Sequence, residues 1–225
     1  MKALIFDSGT LINLSMNGLL DILDSLKSKF DGKFIITLPV KYETIDRPMK
    51  VQRFELGALR VRQLMQRGVL ELPEAFKINN EELEQLTSIL LEKANHIIQV
   101  NDNWVDIVSE AEISCIALSS MLKEQGIETL IAIDERTTRT LCENPHMLER
   151  LISDRMHQWA KVTASDLSEF RGHQFIRSSE LVYVAHKKGV LGVTGKQALE
   201  AALYATKSKG SAISYEEIEV MKKIP

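Results

Sequence analysis

Two short apolar runs, each ending in an aspartate, constrain this chain more than any other feature. Ala3-Leu4-Ile5-Phe6 leads into Asp7, and Thr129-Leu130-Ile131-Ala132-Ile133 leads into Asp134. Runs of this length suit buried strands and are too short for helices. Apolar residues at helical spacing follow the first run, from Leu11 through Leu14, Leu19, Leu23 and Leu26, and predict a helix to about residue 30. Asp31-Gly32 marks a turn, Phe34 to Leu38 a second strand, and Pro39 the first turn of the next helix. Helical patterns recur over 56–66, 80–95 and 106–123, with short strands expected at 69–72 and near Val162. Strands alternating with helices of roughly 10–18 residues imply βαβ units and a mostly parallel sheet. Right-handed crossovers place both aspartates on one edge, the C-terminal edge where open α/β sheets bind ligands. From about residue 172 the pattern changes to three small helices, over 180–186, 196–209 and 215–223.

Asp7 has a bland reading and a functional one. It could cap the helix that follows, but Ser8 and Thr10 could do so equally. A carboxylate at the end of a buried strand is costly unless a cation meets it, which favours a functional role. The string Asp7-Ser8-Gly9-Thr10-Leu11 approximates the opening of a haloacid-dehalogenase-type phosphatase. That chemistry needs an aspartate nucleophile and a second aspartate two residues later as general acid. Here the second position is Gly9, so the phosphatase reading loses its acid.

The stretch Asp7-Ser8-x-x-Leu11-Ile12 after an N-terminal strand resembles the start of a PIN domain, the small α/β metal-dependent ribonuclease fold. Three further segments are similar to that family's acidic pattern: Pro39-Val40-Lys41-Tyr42-Glu43, Ser109-Glu110-Ala111-Glu112 with its apolar continuation, and Asp134-Glu135-Arg136-Thr137-Thr138-Arg139. Ser178 to Gly189 and Lys196 to Val220 resemble the tail of archaeal-type members. The chain departs from that pattern where Ser109 replaces a glycine, Glu135 an aspartate and Ser178-Ser179 a Gly-Thr pair. The region 47–103 is also longer than in a minimal domain.

The resemblance implies an α/β three-layer sandwich with a mostly parallel central sheet plus C-terminal helices. Residues 1–171 would form the nuclease domain and 172–225 a helical extension packed on it. Asp7, Glu43, Glu110 and Asp134 would hold Mg²⁺ or Mn²⁺ and hydrolyse RNA phosphodiesters. Glu112 completes a Ser109-x-x-Glu112 capping box, so Glu110 is preferred to it as the site acid. Asp134, directly after Ile133, is preferred to Glu135. Gathered carboxylates repel one another unless cations neutralise them, and hard divalent ions take oxygen ligands. Members of the family act as toxins of toxin–antitoxin pairs or as RNA-processing enzymes. An RNA substrate is therefore expected, and an antitoxin protein and a homodimer are compatible partners. The alternative is a non-catalytic scaffold binding nucleic acid or protein, favoured if Glu43 or Glu110 turns away from Asp7.

Charge and composition narrow the rest. The net charge of −3 excludes a uniformly basic surface, so a polyanion would need a local patch. Residues 41–67 hold seven basic side chains against three acids, among them Arg47, Lys50 and Arg53 close behind Glu43. These three, with Arg136 and Arg139 beside Asp134, are candidate RNA contacts; solvated helix faces and ion pairs to Glu135 or Glu143 are the bland readings. Aromatic residues do not interleave with the basic ones, so a single-strand stacking groove is not expected. The five histidines show no metal-ligand spacing, and Cys115 and Cys142 are read as reduced core residues. No apolar run reaches the ~18 residues of a membrane span, and no signal peptide is visible, so a cytoplasmic location is expected.

Overall fold

The computed structural model describes residues 1–163 and 166–224. Its centre is a five-stranded sheet in the order β3-β2-β1-β6-β8 in which every adjacent pair is parallel. The strands are β1 (Lys2–Phe6), β2 (Gly32–Ile35), β3 (Leu70–Glu71), β6 (Glu128–Ala132) and β8 (Phe175–Ile176). β1 is the middle strand, and Ala3, Leu4, Ile5 and Phe6 are all buried, as a strand covered on both faces requires. The fold is an α/β sandwich with helices flanking this sheet and further helices at the C-terminus.

Where β2 starts, Gly32 lies so close to β1 that a Cβ would meet the Lys2 carbonyl oxygen at 2.3 Å. The glycine expected to make a turn is needed for this close approach as well.

The helix expected to reach residue 30 is two helices, α1 (Ser8–Met16) and α2 (Asp21–Lys27). They are broken at Gly18, whose φ of 68° ordinary residues adopt only with strain. α4 (Gln52–Gln66) packs beside α1, and α5 (Asn80–Asn95) packs on α6 (Glu110–Glu124), which covers β6 and β1. α5 occupies the whole span that its periodicity predicted.

A second sheet was not foreseen. β4 (Ile98–Val100) pairs antiparallel with β5 (Asn103–Trp104) on one side and β7 (Ala160–Val162) on the other.

The division expected at residue 171 is not where the packing changes. β8 completes the main sheet, and Leu181, Val182 and Ala185 of α9 (Ser178–Lys187) belong to the main core. A smaller apolar cluster, built from Leu199, Leu203, Ile213, Ile218 and Met221, joins α10 (Ala198–Ser208) to α11 (Tyr215–Lys223). Arg177 anchors α11 to the start of α9. Its guanidinium donates to Glu180 at 2.6 Å, to Glu217 at 2.9 Å and to the Ala212 carbonyl at 2.8 Å. Among the described residues, no helix is long and apolar enough to cross a membrane.

Candidate active site

Asp7 sits directly after the middle strand, where its N–H donates to the Ala132 carbonyl at 2.9 Å and continues the β1–β6 ladder. Its carboxylate is 2% exposed. Oδ2 accepts from the Gly9 N–H at 2.9 Å, so Asp7 itself is the N-cap of α1, and neither Ser8 nor Thr10 takes that role. A Cβ at Gly9 would sit tightly against Oδ2, at 3.1 Å. The position that a phosphatase would give to its second aspartate is therefore held by the smallest residue.

The other oxygen, Oδ1, is buried with no hydrogen-bond partner among the described residues. Burial, and then the charge of Glu112, push the Asp7 carboxyl up to about 8; Glu43 adds to this, and the backbone amides of Gly9 and Ser8 oppose it. A buried carboxylate with a free lone pair and two further acids near it is the charge pattern a cation would relieve.

Glu43 is presented by an uncommon piece of backbone. Residues Tyr42–Asp46 form a π-helical turn after α3 (Leu38–Lys41), closed by Arg47 N–H to Tyr42 C=O at 2.9 Å. Such wide turns often occur at functional positions. The turn points Glu43 at α1, where Ser8 Oγ donates to Glu43 Oε2 at 2.6 Å.

On α6 it is Glu112, rather than the expected Glu110, whose charge acts on Asp7. Glu110 is exposed and lines a groove with Tyr42, Asn80 and Glu84. Glu112 does complete the capping box, with Oε2 accepting from Ser109 N–H at 2.8 Å. The same oxygen accepts from Thr138 Oγ1 at 3.1 Å. Capping thus engages one oxygen while the charge still acts on Asp7. Desolvation raises the Glu112 carboxyl above its ordinary range, and Glu135 contributes in the same direction.

Asp134 also departs from expectation. It is 4% exposed, but both carboxylate oxygens have partners in the surrounding helices. Oδ1 accepts from Ser178 N–H at 2.8 Å and Oδ2 from Asn13 Nδ2 at 3.0 Å. It joins α1 to the start of α9. Glu135, its neighbour, caps α7 (Arg136–Glu143) through Thr138 N–H at 2.7 Å and faces Glu112. The acids whose charges act on one another are thus Asp7, Glu43, Glu112 and Glu135, while Asp134 is engaged by Asn13 and Ser178.

These carboxylates gather without converging. Among the described residues, no three His, Cys, Asp or Glu side chains form a group that could hold a metal ion as they stand. The donor set is nevertheless all oxygen, and the orphaned Asp7 Oδ1 fits a hard divalent cation.

Arg47, Lys50 and Arg53 are exposed just after the π-turn and have no ion pair among the described residues; Arg53 lies over the Phe54 ring at 4.5 Å. Arg136 is exposed, whereas Arg139 leans on Glu143 at 3.4 Å, the bland pairing expected within the helix. Cys115 and Cys142 are free and buried, and Cys115 lies close enough to Asp7 and Glu112 for their charges to raise its thiol further. Sequence reasoning passed over Ser8, Asn13, Thr138 and Ser178. Ser8 and Thr138 stand inside the acidic motifs and could have been read there as carboxylate-orienting hydroxyls. No family model, curated protein or solved structure matches the chain.

Proposed function

We propose that the chain is a divalent-metal-dependent ribonuclease that hydrolyses RNA phosphodiester bonds with a PIN-like acidic site. One observation carries this reading: a buried Asp7 with an unpartnered oxygen, on the ligand-binding edge of a parallel sheet, under the charges of Glu43 and Glu112. Asp7 and Glu112 would hold Mg²⁺ or Mn²⁺, with Glu43 oriented by Ser8 as the third donor. Such an ion supplies a Lewis acid and a water acidic enough to attack phosphorus. Thr138 and the Ser109 amide hold Glu112 in place, and Asp134 fixes α1 and α9 around the site. Arg47, Lys50 and Arg53 supply unpaired positive charge for the phosphates that flank the scissile bond. An RNA-processing role and a toxin held by an antitoxin are both compatible with this chemistry.

A second reading, a non-catalytic scaffold that binds nucleic acid or protein, draws on the position of Glu110 away from Asp7 and on the lack of a formed three-acid group. The two are separated by incubating a generic single-stranded RNA and a phosphomonoester with Mn²⁺, comparing wild type with Asp7→Asn. Metal-dependent RNA cleavage that the variant loses supports the ribonuclease. A wild type that cleaves neither substrate leaves the scaffold, and cleavage of the phosphomonoester alone returns the phosphatase.

A further inference from the structure

The chain has two tryptophans, and the fold brings them to one surface. In the small antiparallel sheet, Gln99 of β4 lies opposite Trp104 on one side and Lys161 on the other. Residues directly opposite in a sheet share a face, so Trp104, Gln99 and Lys161 form a row. Ile98, Val100 and Ala160 are buried and point to the core, which turns the row outward. Trp159 immediately precedes β7, two residues before the outward-facing Lys161. It is 81% exposed and Trp104 46%.

The surroundings of the two rings are polar. His96 meets Trp104 edge-on with centroids 5.2 Å apart, and Asn101 Nδ2 donates to Gln158 Oε1 at 3.1 Å. Lys161 has no ion pair among the described residues. Asn101, Asp102 and His157, in the turns that lead to the two tryptophans, have positive φ, which non-glycine residues adopt at a cost. A lone exposed aromatic needs no explanation. Two on one face, separated by amide and ammonium groups rather than by aliphatic side chains, match the demands of a partner with flat π faces, hydrogen-bonding edges and negative charge.

We propose that this outer sheet is a stacking platform for single-stranded RNA. Trp104 and Trp159 take the faces of bases, Gln99 and the Asn101–Gln158 pair meet base edges, and Lys161 meets a phosphate. The choice of RNA rests on the function proposed above. Trp104 also precedes α6 closely in the chain, the helix whose first turn carries Glu112. Interleaving of aromatic and basic residues, absent along the sequence, is created here by strand pairing.

Both tryptophans lie on this face, so their fluorescence reports on it directly. The full chain is titrated in EDTA, where cleavage is silent, with a mixed-sequence single-stranded RNA of about 12 nucleotides. Expected are saturable quenching, weaker binding in higher salt, and about tenfold weaker binding of labelled RNA by Trp104→Ala and by Trp159→Ala. The thermal midpoint of Trp159→Ala should stay unchanged, because that ring is 81% exposed; Trp104→Ala, whose ring is half-buried against His96, is assayed well below its own midpoint. The inference is overturned by RNA affinity that neither substitution alters, or by self-association that Trp159→Ala abolishes. RNA cleavage without this binding would sink the platform alone; tryptophan-dependent binding without cleavage would sink the ribonuclease and leave the platform.

Discussion

Ser8 Oγ donates a 2.6 Å hydrogen bond to Glu43 Oε2, joining the first turn of α1 to the π-turn. The bond sets the direction of the one acid that comes from an irregular helix. Ser8→Ala should lower RNA cleavage mainly through kcat, since the acid remains but its orientation does not. Hydrogen bonds to charged groups contribute about 1.5–3 kcal/mol, and the half-exposed Glu43 places this one at the lower end. Urea titration should therefore show a loss of about 1.5 kcal/mol. Unchanged kcat and stability would remove Ser8 from the site.

Asp7 makes stability depend on pH in an unusual direction. Its folded carboxyl is pushed up to about 8, above the ordinary 3.8, so between these values the folded chain keeps a proton that the unfolded chain releases. Stability from this group is then fully present below about pH 4 and is lost as pH rises toward 8. In EDTA, Asp7→Asn should match wild type at about pH 4 and exceed it at pH 8 by on the order of a few kcal/mol. Mn²⁺ should narrow the gap by stabilising wild type alone. Urea unfolding at the two pH values checks this; a gap that shrinks with pH would contradict the burial of a free carboxyl.

Glu110 and Glu112 stand two residues apart and face different surroundings. Glu112→Gln keeps a side chain able to complete the capping box, so stability should change by less than about 1 kcal/mol. Cleavage should fall by at least tenfold, because the charge beside Asp7 is gone. Glu110→Gln should leave cleavage within about twofold, since Glu110 lines another groove. The opposite ranking in a Mn²⁺-dependent RNA assay would restore Glu110.

The contacts of Asp134 predict a structural phenotype. Asp134→Ala deprives the Ser178 amide and Asn13 of their acceptor in a buried setting, at a cost of about 1–3 kcal/mol for each buried group left unsatisfied. Arg177→Ala should likewise destabilise, by about 2 kcal/mol, less than a fully buried pair because Glu217 is partly exposed. In both variants, amides of α9 and α11 should exchange faster with deuterium than those of β1 and β6. Uniform exchange would argue against a separable C-terminal brace.

The long elements were legible because they carry periodicity. The two apolar runs ending in Asp7 and Asp134 pointed to the parallel sheet and to the edge where both aspartates stand, and α5 matched its pattern from end to end. β5 and β8 have two residues each, too few for any alternation to register, and β4 meets β7 only through long-range pairing. At the site, Asp7 stands out because it follows a strand directly, and Glu43 because Pro39-Val40-Lys41-Tyr42-Glu43 resembles a known acidic pattern. Glu112 was set aside because capping and site duty were treated as exclusive, whereas a carboxylate has two oxygens. Asp134 looked equivalent to Asp7 at the end of its strand. Its distinction comes from Asn13 and Ser178, partners that local pattern cannot supply.

The grip of Asp134 on the first amide of α9 has a practical consequence for anyone trimming this chain. A fragment ending at residue 171 would retain every acid of the site while losing β8 and the amide that occupies Asp134. Held then by Asn13 alone, the carboxylate would have one oxygen without its amide and make a different electrostatic environment from the same residues. Activity or metal affinity measured on such a fragment would describe a new protein.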